Sequence, residues 1–120
     1  MDSETIKIIE ISSRNDLKRF VTFPFKLYRD NPYWTPPIIK EEIDTLDPNV
    51  NPVFEEAIAR YFLAYRNNTI VGRVAVMINW TEVKQLKKSK VRFGWFDVVD
   101  DIDVTAALMK KVHEVGHENG

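Results

Sequence analysis

Arg60-Tyr-Phe-Leu-Ala-Tyr-Arg-Asn-Asn-Thr-Ile-Val-Gly-Arg-Val-Ala-Val-Met-Ile-Asn79 is the stretch whose reading decides the fold. Two runs rich in β-branched and aromatic residues flank the polar triplet Asn67, Asn68 and Thr69, which is the pattern of a β-hairpin. Asparagine suits such a turn because its short polar side chain tolerates positive φ. Alternation puts Tyr61, Leu63 and Tyr65 on one face of the first strand, with Phe62 and Ala64 on the other. In the second strand Ile70, Val74, Val76 and Ile78 oppose Val71, Ala75 and Met77. A sheet with one wet face would show polar residues in one of these sets; all are largely apolar, so helices are expected over both faces.

Before the hairpin, residues 5–11 alternate loosely around Ile6, Ile8 and Ile9 and predict a short strand. Ser13, with Asp16 three residues on, is a weaker version of a capping box, and Leu17, Phe20, Val21 and Tyr28 recur at helical spacing. Pro24 interrupts that helix and predicts a bend or a split, with backbone groups exposed at the break. A loop follows, Asp30-Asn-Pro-Tyr-Trp-Thr-Pro-Pro-Ile, in which three prolines hold their predecessors extended. Its aromatics, Tyr33 and Trp34, have two readings: they line an acceptor-binding cleft, or they pin the loop onto the core. Residues 40–46 read as a short acidic helix, 47–52 as a second turn-rich loop and 54–58 as a further helical turn.

After the hairpin, residues 80–86 lead into the lysine run 87–90, read as a solvated turn. Residues 91–99, Val-Arg-Phe-Gly-Trp-Phe-Asp-Val-Val, form a third central strand, and Gly94 within it marks a bulge or a close approach. Asp97 is its odd residue, since a carboxylate among Phe93, Trp95, Phe96, Val98 and Val99 is costly to bury unless hydrogen-bonded, paired or protonated. It is a candidate general base; alternatively it lies at the sheet end, bonded to backbone N–H groups or to an arginine such as Arg73. Asp100, Asp101 and Asp103 open a last helix whose apolar stripe is Val104, Leu108, Val112 and Val115, with Gly120 just past its end.

At 120 residues the chain suits one domain with one core. Seventeen basic and eighteen acidic residues leave a net charge of −1, which argues against a nucleic-acid footprint or a polybasic membrane anchor. With no cysteine, disulfides, thiolate metal sites and a cysteine nucleophile are excluded. No apolar run approaches ~20 residues and the N-terminus is polar, so a soluble, cytoplasmic protein is expected.

His113-Glu114-Val115-Gly116-His117 matches the spacing that places two imidazoles one helical turn apart for zinc, with glutamate as base. At about 100° per residue, however, His113 and His117 fall nearly opposite the apolar stripe. They are read as solvent-facing histidines with no metal, and a zinc hydrolase ranks last among the functions considered.

The order strand, interrupted helix, proline-aromatic loop, short helix, hairpin, strand, helix resembles the first half of the GNAT superfamily of acyl-CoA-dependent N-acyltransferases. Phe20, Pro24, Tyr28, Asn31-Pro32, Trp34, Pro36-Pro37 and Arg92-Phe-Gly-Trp-Phe-Asp97 are similar to a branch of GNAT-like bacterial proteins. The resemblance covers essentially the whole chain, as a single domain over residues 1–120. It implies an α/β fold of the α+β type, with a mixed, mainly antiparallel sheet flanked by helices on both faces. It also implies acyl transfer from coenzyme A to an amine: Phe96, Val98 and Val99 beside the acyl-CoA, Asp97 as base, and Tyr33 and Trp34 near a small-molecule or peptide acceptor. In that family the loop after the fourth strand is rich in glycine; here Val99-Asp-Asp-Ile-Asp103 has none and carries three carboxylates. Further strands and helices are expected after Asn119-Gly120, so the chain reads as the N-terminal half of a longer protein, inactive alone. The competing expectation is a non-catalytic interaction module that forms a homodimer through the exposed edge of strand 91–99.

Overall fold

A computed structural model of the chain describes residues 5–55, 57–79 and 92–118. The element order is β1 (Ile6–Ile11), α1 (Arg14–Leu27), α2 (Ile39–Leu46), a 3-10 turn (Pro52–Glu55), β2 (Ala57–Arg66), β3 (Thr69–Asn79), β4 (Arg92–Val98) and α3 (Ile102–Glu118). The fold is α+β, and the strands lie in the order β1-β2-β3-β4, antiparallel throughout. The expectations for 80–90 and for Gly120 lie outside the described residues. Among those described, no helix is long and apolar enough to cross a membrane.

Helices cover both faces of the hairpin, as its two apolar sets require. On one face α1 and α2 bring Leu17, Phe20, Val21, Ile43 and Leu46 against Tyr61, Leu63 and Ala75. On the other, the Val104, Leu108, Val112 and Val115 stripe of α3 packs on Phe62, Ala64, Val74 and Val76. Gly72 permits the close approach of α3. A Cβ there would stand 2.9 Å from Leu108 Cδ1 and 3.0 Å from both Val104 Cγ1 and Val98 Cγ1.

The turn residues Asn67 and Asn68 have φ of 53° and 66°, the left-handed pair that a two-residue hairpin connection needs. One expectation about the hairpin is overturned. Tyr65 pairs with Ile70 but Ala64 pairs with Gly72, so β3 carries one extra residue there. That bulge reverses the side-chain alternation: Ile70 packs with the α1/α2 layer and Val71 with the α3 layer, the opposite of the assignment that regular alternation gives. The helical turn expected at 54–58 is likewise corrected, because the 3-10 turn ends at Glu55 and Ala57 already pairs with Asn79.

At the start of α1, the Ser13 hydroxyl oxygen accepts from the Asp16 N–H at 3.1 Å. The helix does not split at Pro24; it runs on to Leu27, and the Tyr28 N–H donates to the Pro24 carbonyl at 2.8 Å. Proline lacks the N–H that the Phe20 carbonyl would otherwise receive. Arg73 on β3 supplies the missing donor, its Nη1 lying 2.8 Å from that oxygen.

Candidate functional site

β4 is the last strand in the sheet order, and its pairing with β3 is irregular. Arg73 pairs with Asp97 and Ala75 with Gly94, which leaves one more residue on β4 than on β3 between the two pairs. The bulge stands beside Gly94, but the left-handed residue is Trp95, with φ of 47°. Such a conformation costs a bulky side chain on the order of 1–3 kcal/mol and persists where surrounding contacts over-determine it. Ala75 belongs to the α1/α2 layer, so in a regular strand Trp95, one past its partner, would face α3. The bulge turns it instead into the α1/α2 layer, where its indole N–H donates to the Glu42 carboxylate of α2.

Asp97 points to the same side. Its Oδ2 accepts from Arg73 Nε at 2.9 Å and lies 2.8 Å from Nη2, while its Oδ1 accepts from the Tyr28 hydroxyl at 2.6 Å. The expectation that an arginine such as Arg73 pairs this carboxylate is met by the geometry. The buried guanidinium also sits over the Phe20 ring, 5.0 Å from its centroid. Burial pushes Arg73 below its ordinary pKa, opposed by its bond to Asp97. The hydrogen bond to Asp97, reinforced by burial, pushes the Tyr28 hydroxyl up to about 12.

Trp34 stacks against this cluster, with ring centroids 5.6 Å from Tyr28 and 5.1 Å from Phe25. It therefore pins the proline loop to the end of α1, behind the tyrosine that bonds Asp97. Its neighbour Tyr33 is separated from it, 92 % exposed, with its backbone N–H bonded to Asn31 Oδ1 at 2.9 Å. Phe96, Val98 and Val99 turn away from Asp97 and pack against the α3 layer, and the Val99 N–H donates to the Val71 carbonyl at 3.0 Å. Tyr28 and Glu42 complete the site without having been singled out as functional by their local sequence. The sequence marks Tyr28 by its helical spacing, one turn beyond Pro24, and by its place among the residues of the family resemblance, neither of which points to Asp97.

The start of α3 bears on acyl-CoA. Asp101 Oδ1 accepts from the Asp103 N–H at 2.9 Å, the Asp101 carbonyl accepts from the Thr105 N–H at 3.2 Å, and the Asp101 carboxylate also pairs with Arg66. These bonds hold Asp101 below the usual carboxylate range, the Arg66 contact most of all. N–H groups that would receive a pyrophosphate are thus already capped, beside the further carboxylates of Asp100 and Asp103. The residues here do not fit the phosphates of coenzyme A.

His113 and His117 lie exposed on α3. Glu114 between them is bonded to Lys111 at 2.9 Å, which holds its carboxyl below the ordinary range. Among the described residues no group of three or more His, Cys, Asp or Glu is placed to hold a metal ion.

Two of the concavities among the described residues differ in character. A wide one of about 580 Å³ lies around Thr5, Lys7, Tyr65 and the hairpin turn, at the opposite sheet edge from Asp97. A narrower one of about 220 Å³ lies beneath the end of α2 and shares Trp95 with the Asp97 side.

No family model matches the chain, and no solved structure matches it. Among curated proteins it is similar to Protein YghO of Escherichia coli (strain K12), 36 % identical over 96 residues, which is 80 % of this chain and 24 % of that protein. It is also similar to the bacterial ceramide synthase of Caulobacter vibrioides, 35 % identical over 110 residues, 91 % of this chain and 29 % of that protein. The matched stretch thus spans less than a third of the length of either relative.

Proposed function

We propose that this chain is the N-terminal part of an acyl-CoA-dependent N-acyltransferase of the GNAT kind, which joins an acyl group to an amine in the bacterial cytoplasm. The observation that carries the proposal is Asp97: a part-buried carboxylate on a bulged strand that is the last of the described sheet, bonded on one oxygen to Arg73 and on the other, among the described residues, to the Tyr28 hydroxyl. The name of one relative supports the reaction class, because a ceramide is an amide of a long-chain amino alcohol and its synthesis is an N-acylation. In this reading the chain's own residues hold the amine and take its proton at Asp97 Oδ1, once the Tyr28 hydroxyl has given way to the incoming nitrogen. Trp34 walls the acceptor side, and Tyr33 reaches the acceptor from solvent. With acyl-CoA as donor, backbone groups at Phe96 and Val98 and the residue Val99 would lie along it, as the family resemblance implies.

The test replaces the matching segment of the Caulobacter relative with this chain and follows amide formation from acyl-CoA and a long-chain amino alcohol. Activity in the chimera that falls at least about a hundredfold in Asp97→Asn is the expected result. Unchanged activity in that variant would remove Asp97 from the chemistry. The isolated chain is expected to show no turnover; acyl-CoA-dependent turnover lost in Asp97→Asn would overturn the half-domain reading.

A second reading rests on the β4 edge. Among the described residues no strand lies beyond it, and Phe93 on it is 46 % exposed, so a second copy of the chain would find a pairing edge with an apolar side chain. Light scattering at high concentration decides this, a strict monomer counting against it.

A further inference from the structure

We propose that the hollow between α1 and the hairpin turn binds a small soluble molecule through a phosphate or diphosphate group. The hollow, about 380 Å³, is lined from α1 by Arg19, Thr22 and Lys26 and from the turn by Asn68 and Thr69. Arg19, Thr22 and Lys26 recur at i, i+3 and i+7, which sets them along one face of α1 with the two cations ~10 Å apart along its axis. Both cations are exposed. Arg19 has its ion pair with Asp16 at 4.0 Å, between two well-solvated groups, a contact worth little. Lys26 has no ion-pair partner among the described residues, and no carboxylate among them lines the hollow.

The donors suit phosphate better than other anions. Thr22 gives its hydroxyl proton to the Lys18 carbonyl at 2.7 Å, so the neutral donors left are the Thr69 hydroxyl and the Asn68 amide, neither bonded through its side chain among the described residues. Two cations and two neutral donors match a group with more than one negative charge and at least three acceptor oxygens. A carboxylate offers one charge and two oxygens, and a neutral sugar leaves both cations unused. Long helical side chains lean toward the N-terminus, so Lys26, in the last turn, is placed to reach back toward Arg19 and away from the negative end of the α1 dipole. The wider concavity of about 580 Å³ shares Asn68 with this hollow and adds Lys7, again with no carboxylate in its described lining. Lys7 pairs with Tyr65, which packs with the α1/α2 layer, so it stands on the same face of the sheet as α1 and offers the rest of the ligand a third cation. Three cations in a chain of net charge −1 are too few for a nucleic-acid backbone, which engages about 6–10 phosphates, and this selects a small molecule. None of the exposed large apolar side chains lies on α1 or the turn, which favours a soluble ligand over a bilayer surface. The hollow shares no residue with the Asp97 cluster, so the proposal stands apart from the acyltransfer reading.

The experiment titrates the full chain at low salt with pyrophosphate, inorganic phosphate and acetate, by calorimetry and by amide resonances. Pyrophosphate is expected to bind more tightly than phosphate, and phosphate at least about tenfold more tightly than acetate. The resonances of Thr22, Asn68 and Thr69 should move. Arg19→Gln and Lys26→Gln, both at exposed positions, should each weaken pyrophosphate about tenfold while leaving the circular dichroism unchanged. Lys18→Gln, an exposed cation of α1 outside the hollow, should alter affinity by less than about twofold. Four results would each overturn the proposal: pyrophosphate binding no tighter than acetate, resonance changes confined to other elements, equal losses in Lys18→Gln and Lys26→Gln, or retention on phosphatidylcholine vesicles doped with phosphatidylglycerol without affinity for pyrophosphate. The last would assign these cations to a lipid surface.

Discussion

Asp97→Asn should destabilise the chain by about 2–3 kcal/mol, with the cost falling on Arg73 rather than on residue 97. Arg73 is 7 % exposed, and its guanidinium has two contacts to the Asp97 carboxylate, at 2.8 and 2.9 Å. Removing one partner of a buried ion pair costs roughly 3–5 kcal/mol, because the other charge is left uncompensated. Two features reduce that figure here. Arg73 keeps its bond to the Phe20 carbonyl and its place over the Phe20 ring, and the side chain of Asp97 retains 18 % exposure to solvent. Urea unfolding followed by circular dichroism at pH 7 would register the loss as a midpoint lowered by about 1–2 M for a slope typical of small domains. The double variant Asp97→Asn/Arg73→Met should cost no more than Asp97→Asn plus about 1 kcal/mol for the Phe20 carbonyl it strands, since no unpaired charge remains. A single-variant cost below about 1 kcal/mol, or a double variant that equals the sum of the two singles, would refute this account of the site.

Three further outcomes follow from the same contacts. Tyr28→Phe should cost about 1 kcal/mol at neutral pH, less than the full shift implies because the hydroxyl is partly solvated. The folded-state pKa is raised to about 12 from an ordinary value near 10, so the wild-type advantage is complete below pH ~10 and fades as pH climbs to ~12; an advantage that grows with pH would contradict it. Gly72→Ala should lower Tm by roughly 5–15 °C, read by calorimetry, because its Cβ meets Leu108, Val104 and Val98 at 2.9–3.0 Å in a packed layer and overpacking costs about 1–3 kcal/mol. Asn68→Gly should stabilise by a few tenths to about 1 kcal/mol in urea unfolding, since φ of 66° suits glycine better than asparagine.

The parts of this fold that depend on local period were legible from the chain. Two-sided apolar alternation announced helices on both faces, and the spacing of Val104, Leu108, Val112 and Val115 announced the buried side of α3. The Asn67-Asn68 turn was readable because its φ values are a property of two residues. The flip of Ile70 and Val71 was not, because the bulge beside Tyr65 comes from pairing register, and nothing in Ile-Val-Gly marks which residue is extra. The same limit hid the position of the strained residue in β4. Gly94 is the residue that tolerates positive φ, yet Trp95 adopts it, held by Glu42 from a helix 53 residues away. Asp97 and its pairing with Arg73 could be anticipated from the oddity of one carboxylate in an apolar strand. Tyr28 could not, because its hydroxyl meets Asp97 only after α1 has docked, across 69 residues of sequence.

Pro24 looks like a defect in α1 when only the helix is considered, and it becomes a design element once the sheet is present. By withholding an N–H from the Phe20 carbonyl, it leaves an acceptor buried in the α1/α2 layer that must find a donor from elsewhere. Arg73 answers with Nη1, and the same planar guanidinium then presents Nε and Nη2 to Asp97 in a geometry that lysine could not reproduce. One turn beyond Pro24, Tyr28 closes the loop by donating to the other Asp97 oxygen, and Trp34 packs behind Tyr28. The carboxylate is therefore oriented from α1 and β3 together, while its own strand is held from α2 through Trp95. A residue fixed from three elements pays its ordering entropy during folding rather than during binding, which is the condition an acceptor-holding or proton-taking group must meet.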